Sequence, residues 1–225
     1  MQNLYGDKLP HSLCGYGVDI ASQRADDLDQ KALVYIAARN TETKALDLAC
    51  GQGGQAIRMA AAGARVVASD LIEYNQELMR AASHGRPSLQ FIKEDMRLLP
   101  GVLVKHQPFD LIVCQRAIHY LPYHQAKRMV GNLWHMLNPK GRLYLSASGI
   151  ESELGQGYEP SPSGNIESRF ATLAAEMVSK HGIHGPVCLY GIEDAAKLMY
   201  QHGFTVLEAF ASDFGNVKII AERES

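Results

Sequence analysis

At 225 residues, with 46% hydrophobic and 20% charged side chains, the chain has enough apolar material to bury a core as a single domain. Its formal net charge of −2 leaves no electrostatic footprint for nucleic acid or an anionic membrane surface. No apolar run approaches a membrane span, and Met1-Gln2-Asn3-Leu4-Tyr5 lacks the basic start and apolar core of a signal peptide, so a cytoplasmic protein is expected.

Residues 1–24 hold Gly6, Pro10, Gly15 and Gly17 among Tyr5, His11 and Tyr16, without periodicity. They read either as a tail or as an arm folding over a ligand, and the interspersed tyrosines suit the arm better. From Ala25 to Arg39, Leu28, Ala32, Tyr35 and Ile36 recur at helical spacing, with Asp26, Asp27 and Asp29 at the start and Arg39 at the end, as the macrodipole favours. Ala45, Leu46, Leu48 and Ala49 make a short apolar run, the pattern of a strand buried on both faces. Gly51, Gln52, Gly53 and Gly54 turn the chain, and Gln55–Ala62 read as a helix ended by Gly63. A strand, a glycine turn and a helix bring backbone N–H groups close to a ligand with no side chain in the way. One polar residue interrupts that strand, Asp47, and a buried carboxylate is costly without a partner.

Ala64–Ser69 is a second strand ending at Asp70, and Ile72–Ala82 a helix. Ser88–Lys93 forms a third strand with Asp95 and Met96 just beyond it, and Phe109–Cys114 a fourth, followed by Gln115. Pro122–Leu137 reads as a helix with an apolar stripe of Ala126, Val130, Leu133, Trp134 and Leu137, and Arg142–Ala147 as the fifth strand. Strands alternating with helices predict an α/β fold with a doubly wound parallel sheet and helices on both faces. Glycines and prolines then crowd residues 149–165, an irregular stretch of the kind that serves as a functional loop. Ile166, Phe170, Leu173, Ala174, Met177 and Val178 predict an amphipathic helix, 181–189 is irregular again, and Ile192–His202 is a last helix closed by Gly203. Phe204–Phe210 and Asn216–Ala221 predict two strands joined around Asp213 and Gly215. The expected organisation is one domain over 1–225, with 1–24 as an N-terminal arm and 149–189 as a lid-like insertion. Cys14, Cys50, Cys114 and Cys188 are widely spaced, without C-x-x-C, and read as reduced thiols. His181-x-x-His184 with Cys188 fits no strong zinc pattern, so no metal is expected.

Two ligand classes compete for the glycine turn. Gly51-x-Gly53-x-x-Ala56 fits the dinucleotide fingerprint, with Asp70 about where a ribose-binding acid belongs. The other is S-adenosylmethionine, which carries a ribose and an amino acid but no phosphate. A P-loop is excluded, since no Gly-Lys-Ser/Thr follows. Asp47-Leu48-Ala49-Cys50-Gly51-Gln52-Gly53 resembles the D-x-G-x-G-x-G signature of class I, Rossmann-like S-adenosylmethionine-dependent methyltransferases, with Ala49 where the family's first glycine sits. The segments 66–70, 94–96, 109–121 and 137–145 follow in the family's order, so the resemblance runs from Ala45 to Ala221.

The resemblance implies a seven-stranded, mostly parallel sheet ending in an antiparallel strand pair. It also implies methyl transfer from S-adenosyl-L-methionine to a small-molecule acceptor. Asp47 would anchor the methionine amino group, and the backbone of Ala49, Cys50, Gly51, Gln52 and Gly53 would line the cofactor. Asp70 would take the ribose hydroxyls, Leu71 or Ile72 would pack on the adenine, and Asp95 with the Met96 N–H would meet its edge. Cys114 and Gln115 would face the methionine part and the methyl. His119 and Tyr120 are the placed candidates for a general base, and Tyr16, Tyr158 and Phe170 for acceptor contacts beneath an aromatic lid. Cys114-Gln115-Arg116-Ala117 lacks the motifs of nucleic-acid amino or cytosine methylation. A monomer or homodimer without nucleic-acid or membrane partners is expected. An NAD-dependent oxidoreductase and a cofactor-binding regulatory domain that transfers no methyl are the alternatives.

Overall fold

The computed structural model describes residues 14–73, 88–160 and 164–224. Its centre is a seven-stranded sheet in the order β3-β2-β1-β4-β5-β9-β8. The strands are β1 (Lys44–Leu48), β2 (Arg65–Asp70), β3 (Leu89–Lys93), β4 (Phe109–Cys114), β5 (Leu137–Ala147), β8 (Phe204–Ala211) and β9 (Val217–Arg223). β1 to β5 are parallel to one another, and β9 is antiparallel to both β5 and β8. Six strands therefore run one way, and β9, slotted between β5 and β8, runs the other.

Side-chain alternation divides the core into two layers. Leu46, Leu48, Ile112 and Cys114 point into one cluster, beneath α3 (Tyr123–Met136) and α5 (Ile192–Tyr200). Ala45, Val66, Ala68, Leu111 and Val113 point into the other, beneath α1 (Asp27–Ala37) and α2 (Gly54–Ala61). The two helical layers make the sheet doubly wound. Asp26 starts α1 through a capping box, accepting from the Asp29 N–H at 3.0 Å while Asp29 accepts from the Asp26 N–H at 3.1 Å. Ala126, Val130 and Leu133 carry the buried stripe of α3, and Pro122 stands one position before its first residue. The helix expected over Ile72–Ala82 lies almost wholly outside the described residues.

Two expectations need correction. β5 begins at Leu137, five residues before the expected start, with a register shift opposite Phe109–Leu111. The Asn138 side chain there donates to Asp110 Oδ1 at 2.8 Å, and the other Asp110 oxygen accepts from the Lys44 N–H at 2.9 Å. The long amphipathic helix over 166–178 does not form either. Phe170–Ala171 (β6) pairs antiparallel with Val187–Cys188 (β7), and only α4 (Ala175–His181) is helical, ended by Gly182 at φ +65°. The helical pattern lost to a local ladder, reinforced by the buried Arg169, whose guanidinium reaches Asp194 at 2.5 Å and the Gly164 carbonyl at 2.8 Å.

Candidate functional site

The carboxyl ends of β1 and β2 make a backbone cradle. After Leu48 the chain takes left-handed conformations at Ala49, Gly51 and Gly53 (φ +57°, +54° and +81°), and α2 begins at Gly54. Asp70, closing β2, accepts from the Gly51 N–H at 2.9 Å and the Ile72 N–H at 3.1 Å. Residues 19–22 lie directly on the loop: Asp19 Oδ2 accepts from the Gln52 N–H at 2.8 Å, and Arg58 donates to the Ala21 carbonyl at 2.5 Å. A Cβ on Gly54 would stand 2.1 Å from that carbonyl, and one on Gly51 2.7 Å from Asp19 Oδ2. Only glycine lets the two segments approach so closely.

Between this cradle, the end of β4 and the insertion lies a cavity of about 630 Å³. It is lined by Asp47, Ala49, Cys50, Gly51, Gln52, Asp70, Leu71, Ile72, Asp95, Met96, Gln115, Tyr120, Tyr16 and Phe170, so most of the residues singled out in the sequence meet there. Gly53, Cys114, His119 and Tyr158 do not line it.

The electrostatics of the cavity are lopsided. Asp47 is 4% exposed, and its Oδ2 has no hydrogen-bond partner. Burial, with repulsion from Asp29, Asp19 and Asp70, pushes its pKa well above the ordinary carboxylate range. Burial also raises Asp70, against hydrogen bonds from the Gly51, Ile72 and Leu71 amides, and it raises Asp29, which Asp26 pushes further. Of the lining cations, Arg97 is bonded to Asp95, leaving Arg116. A buried carboxylate with an orphaned oxygen among other acids is unfavourable alone and suits a cationic group such as an ammonium.

Asp95 starts a short 3₁₀ turn by accepting from the Arg97 N–H at 2.9 Å. The Arg97 guanidinium then holds both of its oxygens, at 2.5 to 3.0 Å, and keeps its pKa low. A ligand amino group meeting Asp95 must share those oxygens. Cys114 is not a wall of the cavity. It is 0% exposed in the layer beneath α3, because alternation along β4 turns Val113 and Gln115 toward the ligand side instead. Burial lifts its thiol pKa to about 12. The Gln115 amide donates to Asp29 Oδ1 (2.5 Å) and Asp26 Oδ1 (3.1 Å) and accepts from the Ser146 hydroxyl at 3.0 Å.

His119 is 2% exposed, with Ser148 3.4 Å from each ring nitrogen, and burial beside the Arg116 charge drives its pKa down to about 3. It faces a second cavity, of about 480 Å³, which shares Tyr16, Gly17, Val18, Arg116 and Tyr120 with the first. The Tyr120 hydroxyl donates to the Tyr16 carbonyl at 2.5 Å, and the two rings meet edge to face with centroids 5.2 Å apart. Tyr158 is buried in the insertion's own cluster, its hydroxyl bonded to the Arg169 and Val187 carbonyls, and so supports the insertion from within. Phe170 reaches the first cavity from β6. Asp19, Asp29 and Arg116 were not singled out in the sequence. Asp19 lies in an aperiodic stretch, Asp29 reads as a helix-start acid, and nothing local marks Arg116.

Residues 45–141 match the family described as the methyltransferase domain. A ubiquinone biosynthesis O-methyltransferase of Xylella fastidiosa (strain M23) is 32% identical over 123 residues, 53% of this chain and 48% of the relative. A trans-aconitate 2-methyltransferase of Deinococcus radiodurans is 31% identical over 98 residues, 44% of this chain and 35% of the relative. The chain thus spans about half or less of the length of these curated relatives. The fold extends further than the domain match. The Burkholderia thailandensis 1,6-didemethyltoxoflavin-N1-methyltransferase, solved with its substrate and S-adenosylhomocysteine, superposes over 88% of this chain and 79% of its own, with a TM-score of 0.64 at 17% identity. Magnesium protoporphyrin IX methyltransferase from Synechocystis PCC 6803, with bound SAM, covers 87% of this chain and 78% of its own, with a TM-score of 0.58 at 18% identity. At 17% and 18% identity, both likenesses are of the fold alone. Among the described residues, no helix is long and apolar enough to cross a membrane.

Proposed function

We propose that this protein transfers a methyl group from S-adenosylmethionine to a small-molecule acceptor. The observation that carries the reading is Asp47, a buried carboxylate with an unbonded oxygen on the wall of a cavity whose glycine loop leaves room for a ligand backbone to approach. The ammonium of a methionine moiety is the partner such a group lacks. Asp70, oriented by two backbone amides, supports ribose recognition, and Leu71, Ile72 and Met96 offer apolar surface for a purine. Asp19, Asp29, Asp47 and Asp70 around one loop oppose a dinucleotide pyrophosphate, which argues against the oxidoreductase alternative.

The cofactor supplies an activated methyl on a sulfonium. The protein then has to orient the acceptor in line with the breaking carbon–sulfur bond and exclude water. Orientation alone can contribute about 7–11 kcal/mol. In this reading residues 14–24, 149–160 and 164–189 cover the acceptor, with Tyr16, Tyr120 and Phe170 at its surface. His119, with a pKa near 3, is poorly matched to removing a proton at neutral pH. Three buried, unpaired thiols, Cys50, Cys114 and Cys188, support a cytoplasmic setting.

Calorimetry with S-adenosylmethionine and NAD tests the cofactor. The sulfonium nucleoside should bind and NAD should not, and Asp70→Ala should weaken binding by about 1–3 kcal/mol through lost hydrogen bonds to a charged group. Unchanged affinity in a folded Asp70→Ala variant would overturn the placement. Accumulation of S-adenosylhomocysteine with an acceptor separates turnover from a purely regulatory domain.

A further inference from the structure

We propose that Arg116 is a carboxylate anchor at the junction of the two cavities. It lines both the 630 Å³ and the 480 Å³ cavity. Its backbone sits at φ +50°, a conformation disfavoured for a side chain other than glycine, and its N–H is held there by the Ser146 carbonyl and hydroxyl, both at 3.0 Å. The end of β5 thus fixes the direction in which the side chain leaves the main chain. Among the described residues, no hydrogen bond or ion pair engages its guanidinium.

The surrounding charges explain why that fork stays open. Lys218, on the same cavity wall, is taken by Asp26 at 2.9 Å and by Asp27. Asp26 and Asp29 both feel the Arg116 charge, yet their oxygens are bound elsewhere: Asp26 by Lys218, the Gln115 amide and the Asp29 N–H, Asp29 by Gln115 and the Asp26 N–H. His119 beside it is neutral and adds no competing charge. A planar fork with free donors fits a carboxylate in bidentate fashion. A doubly charged phosphate would be repelled by the same aspartates. The inference rests on the methyltransferase reading and leaves two sources of the carboxylate: the methionine part of the cofactor in the larger cavity, or the acceptor in the smaller.

Calorimetry on the full chain separates them. S-adenosylhomocysteine and its decarboxylated analogue are titrated into wild type, Arg116→Gln and Arg116→Asn, asparagine being the side chain that best tolerates the backbone at this position. Short alkyl and aryl carboxylates, each paired with its amide, are then titrated into the nucleoside-saturated proteins. If the cofactor is the source, wild type prefers the intact nucleoside over the decarboxylated one at least tenfold, and both variants lose the preference. If the acceptor is the source, that preference survives in the variants, while at least one carboxylate binds wild type tenfold more tightly than its amide and the variants abolish the gap. Nucleoside binding with no gap that depends on Arg116 overturns this inference alone. Failure of the nucleoside to bind wild type overturns the methyltransferase reading and this inference with it.

Discussion

Two neighbouring stretches of the sheet's rim are built by different means. At the ends of β1 and β2 the work is done by main chain: three left-handed residues, amides aimed at Asp70, and the 19–22 segment close enough that no Cβ fits on Gly54. Beyond β4 and β5 it is done by side chains, with Arg116 and Tyr120 lining both cavities, His119 and Ser148 lining the second, and residues of the insertion on both walls. A surface built from main chain needs particular residue types in a fixed order and leaves a motif. A surface built from side chains needs only the right groups to meet, from any point in the chain.

The sharpest way to break that contrast is Gly54→Ala. Its methyl would collide with the Ala21 carbonyl, and the segment must lift. Overpacking of this kind costs about 1–3 kcal/mol, so thermal unfolding should fall by several degrees and nucleoside affinity with it. An unchanged melting temperature would show that residues 19–22 are not seated on the loop.

Asp47→Asn probes the same region through charge. A folded-state pKa above the unfolded one means that the native protein holds its proton more tightly. The stabilisation is then complete only below the ordinary aspartate pKa of about 3.9 and is lost as pH rises from there through the elevated value. The ligand-free protein should lose stability as pH rises above about 4, and Asp47→Asn should flatten that slope while weakening S-adenosylmethionine binding about tenfold, or about 1.4 kcal/mol. Denaturant unfolding across pH, with calorimetry, reads both. Equal slopes in variant and wild type would show that Asp47 is not the group responsible.

Ala49→Gly is the smallest test. Glycine relieves the left-handed backbone, worth about 1–2 kcal/mol, but loosens the unfolded chain by about 0.5–1 kcal/mol. A net gain under about 1 kcal/mol is expected from chemical denaturation, and a clear loss would mean that the alanine methyl packs against something essential.

The same contrast explains what was legible in the sequence. The order of strands, the two buried layers and the glycine turn follow from hydrophobic period and from residues that punctuate it, and Asp47 and Asp70 stood out because acids interrupt or end apolar strands. Alternation along β4, applied strictly, assigns Val113 and Gln115 to one face and Cys114 to the other. In the insertion, helical spacing from Ile166 to Val178 was genuine, yet residue pairing with 187–188 was stronger and no local pattern announces it. Asp29 and Arg116 were hidden for a related reason: their roles arise only when α1, β4, β5 and β9 come together.

The pair formed by Lys218 and Asp26 spans 192 positions of chain. During translation the glycine turn, the arm and the first four strands emerge well before Lys218 does. Until β9 slides between β5 and β8, Asp26 and Asp27 at the head of α1 lack the Lys218 ammonium. A ribosome-bound nascent chain halted before residue 218 therefore carries every residue of the glycine cradle while the acids at the head of α1 still wait for their lysine.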